Sequence, residues 1–428
     1  MQYNGAAYIF TSTNYKLKLY RIAHIARYLF LSVCILCLSV AASAQQFSIN
    51  ENRKQIKFHF QLVRDMVVIP VFINQKGPFN FVLDTGVGLM VITDPTLVDS
   101  ININNRRTLK MYGLGNDVVF EAYATSSLDI SIAQKLKSQD VSATIFKEDH
   151  FGLSNYAGMP IHGLLGYEFF SNLLVKVNFM DSTLTVAEHG KVKPLKRGTT
   201  LPITIEERKP YFKTKVLLPG GQHTDRKLLI DLGAGHPLSI ENLQPCAGNQ
   251  KRVIAANLGV GLTGPVNGYI SRVAELYIGK YMFKNVITSF PDSNVHVNYI
   301  VPRNGSIGMG VLKKFLLVFD YKNQRLYLKP NARFRDPFEH DMSGMEYYAG
   351  GSDYKHIIVS RVEPGSAADE AGIKANDEVT AINFKGVQDI TIVEVDNLLK
   401  SREDRNILIE IYRNKKFETV LLTLKRRI

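Results

Sequence analysis

The sequence predicts a mainly β chain in which two similar halves stand in tandem and a smaller α+β module follows. Three observations carry this. An apolar strand running straight into Asp-x-Gly occurs twice, as Phe79-Asn80-Phe81-Val82-Leu83-Asp84-Thr85-Gly86 and as Lys227-Leu228-Leu229-Ile230-Asp231-Leu232-Gly233. Each copy is followed in the same order by an apolar-Gly pair and then by a strand with a hairpin. From about Gly344 the texture changes to strands alternating with short helical runs. The matching positions lie 147 residues apart (84 to 231), 144 apart (166 to 310) and 142 apart (184 to 326). A repeat at nearly constant spacing sets the architecture before any single element is assigned.

Taken from the N-terminus, the first segment is an export signal. Lys16, Lys18, Arg21 and Arg27 precede an apolar run from Tyr28 to Val40, and Ala42-Ser43-Ala44 supplies a small-residue cleavage site. The run is too short for a comfortable membrane span. Residues 1–44 are therefore expected to be removed, leaving Gln45 as the mature N-terminus of an exported, periplasmic or envelope-associated protein. A lipoprotein signal around Leu31-Ser32-Val33-Cys34 is the rival, and Val33 fits it badly. Losing four basic residues and no acidic ones takes the net charge from +13 to +9. The remaining charge is dispersed apart from Lys425-Arg426-Arg427, so no basic stripe for nucleic acid is present. Cys34 and Cys37 leave with the leader, and Cys246 alone cannot form an internal disulfide.

Both halves read as β. Val67 to Ile73 and Phe212 to Leu218 are rich in β-branched and aromatic residues and end in turn-forming Gln75-Lys76-Gly77-Pro78 and Pro219-Gly220-Gly221. The Lys/Gly-rich stretch 191–198 and the Pro-containing stretch 333–341 are the joints. Residues 45–192 and 193–335 are thus expected to form two lobes, and residues 336–428 the third domain.

A carboxylate at a tight turn after a buried strand needs a partner. If the halves pack about a pseudo-twofold axis, Asp84 and Asp231 meet face to face. Two touching carboxylates cannot both ionise, so one keeps a proton. The ionised member can then activate a water while the protonated member polarises a carbonyl. Gly86 and Gly233 permit the sharp turn beneath the acids. Asp84-Thr85-Gly86, Asp231-Leu232-Gly233-Ala234 and the two apolar-Gly pairs resemble retropepsin-like and pepsin-like aspartic proteases, over roughly Lys54 to Lys329. The resemblance implies a bilobal acid-protease fold, with Asp84 and Asp231 catalytic and Thr85, Gly86, Gly233 and Ala234 supporting them. It also implies that Leu165-Gly166 and Met309-Gly310 thread behind the catalytic loops. Glycine-rich flaps would lie at Tyr112-Gly113 and Gly259 to Gly261. No cofactor or metal is implied. The family carries Thr or Ser after each Asp, with a hydroxyl that bonds across the lobes. Thr85 keeps it and Leu232 does not.

Gly259-x-Gly261-x-x-Gly264 matches a dinucleotide fingerprint in letters only. Pro265-Val266-Asn267-Gly268 follows where a helix would have to begin. Asn304-Gly305-Ser306-Ile307-Gly308 approaches a nucleophile elbow but lacks glycine two residues before the serine. No His, Cys or Asp spacing forms a metal site.

In the last domain, Ile357 to Val362 is a strand, Ala367 to Ala371 a short helix stopped by Gly372, and Asp377 to Asn383 a strand. Ile392 to Leu399 has helical spacing, and strands 407–412 and 419–424 close the chain. The string Val362-Glu363-Pro364-Gly365-Ser366-Ala367-Ala368-Asp369-Glu370-Ala371-Gly372-Ile373 resembles bacterial PDZ domains, with Asn376-Asp377 where Gly-Asp is usual. By that resemblance Ser343-Gly344-Met345 is the carboxylate loop, and Glu346 to Ala349 would receive a peptide as an added strand. The combined reading is an aspartic endopeptidase of the cell envelope that takes peptide or protein substrates. A scaffold protein with a degenerate cleft is the alternative that Leu232 favours.

Overall fold

The computed structural model describes residues 47–49, 53–103, 105–111, 120–189, 195–218, 221–243, 253–261, 264–292 and 300–428. The leader, Cys246 and the flap positions Tyr112 and Gly113 lie outside them.

Each half closes its strands into a ring. In the first, Met66–Ile73 pairs antiparallel with Lys76–Leu83 on one side and Phe120–Ile132 on the other. Leu136–Phe146, Met90–Ile92 and Gly163–Leu165 complete the circuit. In the second half Lys209–Leu217, His223–Ile230, Gly305–Ile307, Leu238–Ile240, Tyr281–Pro291 and Gly264–Ile278 take the same stations. Strand Met66–Ile73 is an unbroken apolar run because both its faces are covered, with only Pro70 exposed. The adjoining hairpins close through Arg64-Asp65, Asn74-Gln75 and Glu207-Arg208, each pair with both residues at positive φ. That backbone matches the strand twist in two-residue turns.

The halves join through a third sheet of six strands, three from each. Its order is Thr199–Pro202, Arg325–Pro330, Phe315–Asp320, Leu174–Asn178, Thr183–Ala187 and Gln55–His59. At its centre Val177 faces Leu317 in antiparallel register. These are the strand-hairpin repeats that the sequence showed twice. One continuous apolar core runs through both rings and onto this sheet. At the seam Phe170 stands 5.2 Å from Phe319 and 5.5 Å from Tyr321, ring centre to ring centre. Burying such aromatic pairs is a large part of what fixes one half on the other. Helix Leu153–Ala157 has no counterpart among the described residues of the second half.

The third domain has its own core and its own sheet, ordered Met345–Gly350, His356–Val362, Glu378–Ile382, Asn406–Arg413, Lys416–Thr423, with Lys385–Gly386 beside Glu378–Ile382. Ser366 caps helix Ala367–Glu370 by accepting the Asp369 N–H. Thr391 and Glu394 form a capping box on helix Ile392–Leu399. Asn376 adopts φ +69°. Asparagine tolerates that left-handed position, which is why it can stand where glycine is usual. Strand Met345–Gly350 is one end of the sheet order and Lys416–Thr423 the other.

Candidate active site

Strand Lys76–Leu83 delivers Asp84 and strand His223–Ile230 delivers Asp231, each into a turn held from behind. The Asp84 N–H donates to the Leu165 carbonyl at 3.0 Å, and the Asp231 N–H to the Ile307 carbonyl at 2.9 Å. Gly86 N–H donates to Asp84 Oδ1 at 2.6 Å, and Gly233 N–H to Asp231 Oδ1 at 2.9 Å. A Cβ on Gly233 would fall 2.3 Å from Asp84 Cγ, and one on Gly86 would fall 2.9 Å from Asp231 Oδ2. Each glycine therefore makes room for the acid of the opposite half. The two carboxyls stand side by side across the turns, and Asp84 is raised well above the ordinary carboxylate range. Burial is the main cause and the neighbouring Asp231 charge the next.

Thr85, fully buried, grips the opposite half. Its hydroxyl donates to the Ile230 carbonyl at 2.6 Å and accepts the Leu232 N–H at 2.9 Å. Leu232 is buried in the apolar core. Ala234 contributes its carbonyl, which accepts the Met309 N–H at 2.7 Å.

The geometry corrects one expectation. In the first half Leu165-Gly166 does lie behind the Asp84 turn, with a Gly166 Cβ falling 2.2 Å from the Val87 carbonyl and 2.7 Å from that of Asp84. In the second half the corresponding pair is Ile307-Gly308, two residues earlier than Met309-Gly310. Ile307 pairs with Ile230 as Leu165 pairs with Leu83. A Gly308 Cβ would meet the carbonyls of His236 and Ala234 at 2.3 and 2.4 Å. Met309 and Gly310 instead begin the short helix Met309–Leu312, opposite Tyr167–Phe170 in the first half. Ser306 caused the slip, because a polar residue stands where Leu164 is apolar in the first copy. Its hydroxyl lies 2.9 Å from His236 Nε2, and burial holds that imidazole below its usual pKa.

Gly259 and Gly261 lie on strand Ile254–Gly261, which forms a hairpin with Gly264–Ile278. Gly261 pairs with Gly264, so the dinucleotide-like letters are a hairpin end. Gly259, at φ +119°, faces open space and lines the cleft with Asn257 and Leu258. The cleft has a volume of about 1200 Å3 and reaches from the two Asp residues to Glu346, Tyr347 and Asp396 of the third domain. Among the described residues, no group of three or more His, Cys, Asp or Glu is arranged to hold a metal ion.

Four residues at the site gave no signal in the sequence. Asp65, on the turn after Arg64, accepts from Lys313 of the opposite half at 2.6 Å. Lys209 lies near both acids, and burial lowers its pKa, with Arg303 adding to the effect. The Tyr321 hydroxyl is buried behind the acids, and burial followed by the Asp84 charge raises it well above its ordinary range. Arg64 spans to the third domain. Each depends on how distant segments dock, which no local pattern encodes.

Ser343, Gly344 and Met345, expected from the sequence to form a carboxylate loop, lie together at the head of strand Met345–Gly350. Gly344 N–H donates to Asp341 Oδ2 at 2.6 Å, Ser343 Oγ to Asp341 Oδ1 at 2.8 Å, and Met345 N–H to Ser343 Oγ at 3.1 Å.

A family described as "Aspartyl protease" matches residues 69–169, and one described as "PDZ domain" matches residues 358–413. No curated protein matches the chain. A solved structure, "photosystem II D1 C-terminal processing protease", is similar at 23% identity over 19% of this chain and 22% of that chain, with a TM-score of 0.18. This chain therefore spans less than a quarter of that protein's length. The chain carries an aspartyl protease domain in its first half and a PDZ domain at its C-terminus.

Proposed function

We propose that the protein is an aspartic endopeptidase whose two halves each contribute one member of a catalytic dyad, Asp84 and Asp231. The observation that carries this is the juxtaposition of the two acids, each glycine making room for the carboxyl of the opposite half, in a cleft large enough for an extended peptide. One member of the pair, kept protonated by burial and by its neighbour's charge, polarises the scissile carbonyl. The other carboxylate takes a proton from the attacking water. Thr85 fixes Asp231 by holding the peptide groups on both its sides. Hairpin 254–278, with Gly259 at its cleft edge, would close over bound substrate.

The test is hydrolysis of a diverse peptide library by the mature chain and by Asp84→Asn and Asp231→Asn. Both variants should stay folded and lose cleavage, because neither member of a coupled pair acts alone. Cleavage by Asp84→Asn at the wild-type rate would sink the assignment. The alternative, a peptide-binding scaffold, rests on Leu232, which leaves the second half without a hydroxyl grip. It predicts peptide affinity with no hydrolysis by the wild type. Residues 1–44 are proposed as a cleaved export signal. Mass spectrometry of envelope-fraction protein should find Gln45 at the N-terminus, and a lipid-modified Cys34 would overturn this.

A further inference from the structure

Helix Leu153–Ala157 and the turn at Arg64, both in the first half, lie against strand Met345–Gly350 of the PDZ domain. That strand has no neighbour on one side, so its outward carbonyls and amides are the groups an added peptide strand would use. Two of them are already taken. Asn155 Nδ2 donates to the Ala349 carbonyl at 2.8 Å, and Arg64 Nη1 donates to the Tyr347 carbonyl at 3.4 Å. Carbonyls two residues apart on a strand point to the same side, so both lie on one edge. The guanidinium also reaches across to helix Ile392–Leu399, the other wall of the groove. It forms a two-pronged pair with Asp396 at 2.9 and 3.0 Å. Its flat face lies 4.2 Å from the Tyr156 ring centre and 5.0 Å from that of Tyr347, whose hydroxyl donates to Asp396 at 2.5 Å. Behind Tyr156, a Cβ placed on Gly158 would contact Ile392 and Ala349 at 3.4 and 3.5 Å. The first half thus packs against both walls. At the head of the groove the Gly344 amide is engaged as well, by Asp341.

We infer that the peptide-receiving groove of the PDZ domain is occupied in cis by the first half of the protease, with Arg64 and Asn155 standing in for an incoming strand. The groove accepts a peptide with a free C-terminal carboxylate only when this clasp opens. Because Asn155 and Tyr156 also line the active-site cleft, opening the clasp frees one wall of the cleft at the same time. Occupation of the groove and the shape of the cleft are therefore linked, and a ligand of the PDZ domain must outcompete an intramolecular partner.

The experiment measures binding of fluorescein-labelled decapeptides ending in Leu, Val, Ile, Phe or Ala, each as free carboxylate and as amide. The protein is the mature chain, as wild type and as Arg64→Ala/Asn155→Ala, with thermal unfolding confirming that each is folded. The double variant should bind at least one free-carboxylate peptide about ten-fold or more tightly than wild type, and should discriminate against the amide. Asn155→Ala alone removes one hydrogen bond and should give a smaller gain of the same kind. It keeps the test available if loss of Arg64 unfolds the chain. Equal affinity in wild type and variants would show that the groove is not held closed. Absence of binding by every variant would show that it is not a peptide site. Either result overturns the inference.

Discussion

One hydroxyl, that of Thr85, holds the two peptide groups that bracket Asp231, and Leu232, its counterpart in the other half, returns nothing of the kind. The seam beneath the dyad is therefore bonded from one side only. In Thr85→Val the shape is kept while the Leu232 N–H and the Ile230 carbonyl lose their partner in a buried site. Leaving buried groups unpaired costs about 1–3 kcal/mol each. Denaturant unfolding should show a loss of about 2 kcal/mol or more, and peptide hydrolysis should fall further than the folded fraction does. An unchanged unfolding midpoint would mean that the grip is dispensable.

Leu232→Thr tests the same seam from the other side. By the pseudo-twofold relation, a hydroxyl at this position has the Leu83 carbonyl and the Thr85 N–H as its counterparts. Restoring it should raise kcat/KM by holding Asp84 as firmly as Asp231 is held. Leu232 is completely buried, so removing its apolar bulk should cost about 2 kcal/mol in stability. Higher activity with a lower Tm is the expected pair of results, read by hydrolysis and thermal unfolding. Activity that falls together with Tm would refute the first half of the expectation.

The pH profile of hydrolysis follows from the shared proton. Under the proposed mechanism the pair works with one proton, so hydrolysis should be lost at low pH when both members are protonated, and at high pH when that proton leaves. Burial and Asp231 push Asp84 well above the usual carboxylate range. The upper limb of the kcat/KM profile should therefore fall at a higher pH than an isolated carboxyl would give. An upper limb at the pH of an unperturbed aspartate would contradict the buried, coupled pair.

Glu168, directly after Gly166-Tyr167, carries a separate pH dependence of stability. Burial lifts its carboxyl from 4.5 to about 7, outweighing Arg208, whose guanidinium stands 4.0 Å away and half in solvent. Between those values the folded chain holds a proton that the unfolded chain has released. The free energy of unfolding therefore decreases as pH rises through the window and levels off above it. The full effect is about 3 kcal/mol. Glu168→Gln should leave stability nearly unchanged at pH 4 and raise it above pH 7, as measured by urea unfolding across the range. A gain of equal size at both pH values would point to packing rather than ionisation.

The turns that carry Asp84 and Asp231 were legible because a buried strand entering Asp-x-Gly is a local pattern, and its recurrence fixed the second copy. The third domain was legible for the same reason, since its turn at Glu363 to Ser366 and the helix at Ile392 to Leu399 are contiguous signals. The structural match for Leu165-Gly166 was misplaced by two residues because Ser306 interrupts the apolar pattern, and only backbone pairing with Ile230 settles the register. Arg64 leaves no signature in the sequence. Its partner Asp396 is 332 residues away, and the pair exists only where the first half meets the third domain.

Among the described residues, helix Leu153–Ala157 has no counterpart in the second half. A cleft between identical halves would present the same surroundings to a chain entering from either end, and could bind it in both directions. Here one flank carries helix Leu153–Ala157 against strand Met345–Gly350 of the third domain, while the second half meets that domain through different groups, Asn257 with Glu346 at 3.5 Å and Arg272 with the Phe338 carbonyl at 2.9 Å. The two ends of a bound polypeptide would therefore meet different walls, and the cleft acquires a polarity that two matching halves alone would not give it. If the proposed proteolysis occurs, products released toward the clasp and away from it would leave by unlike routes.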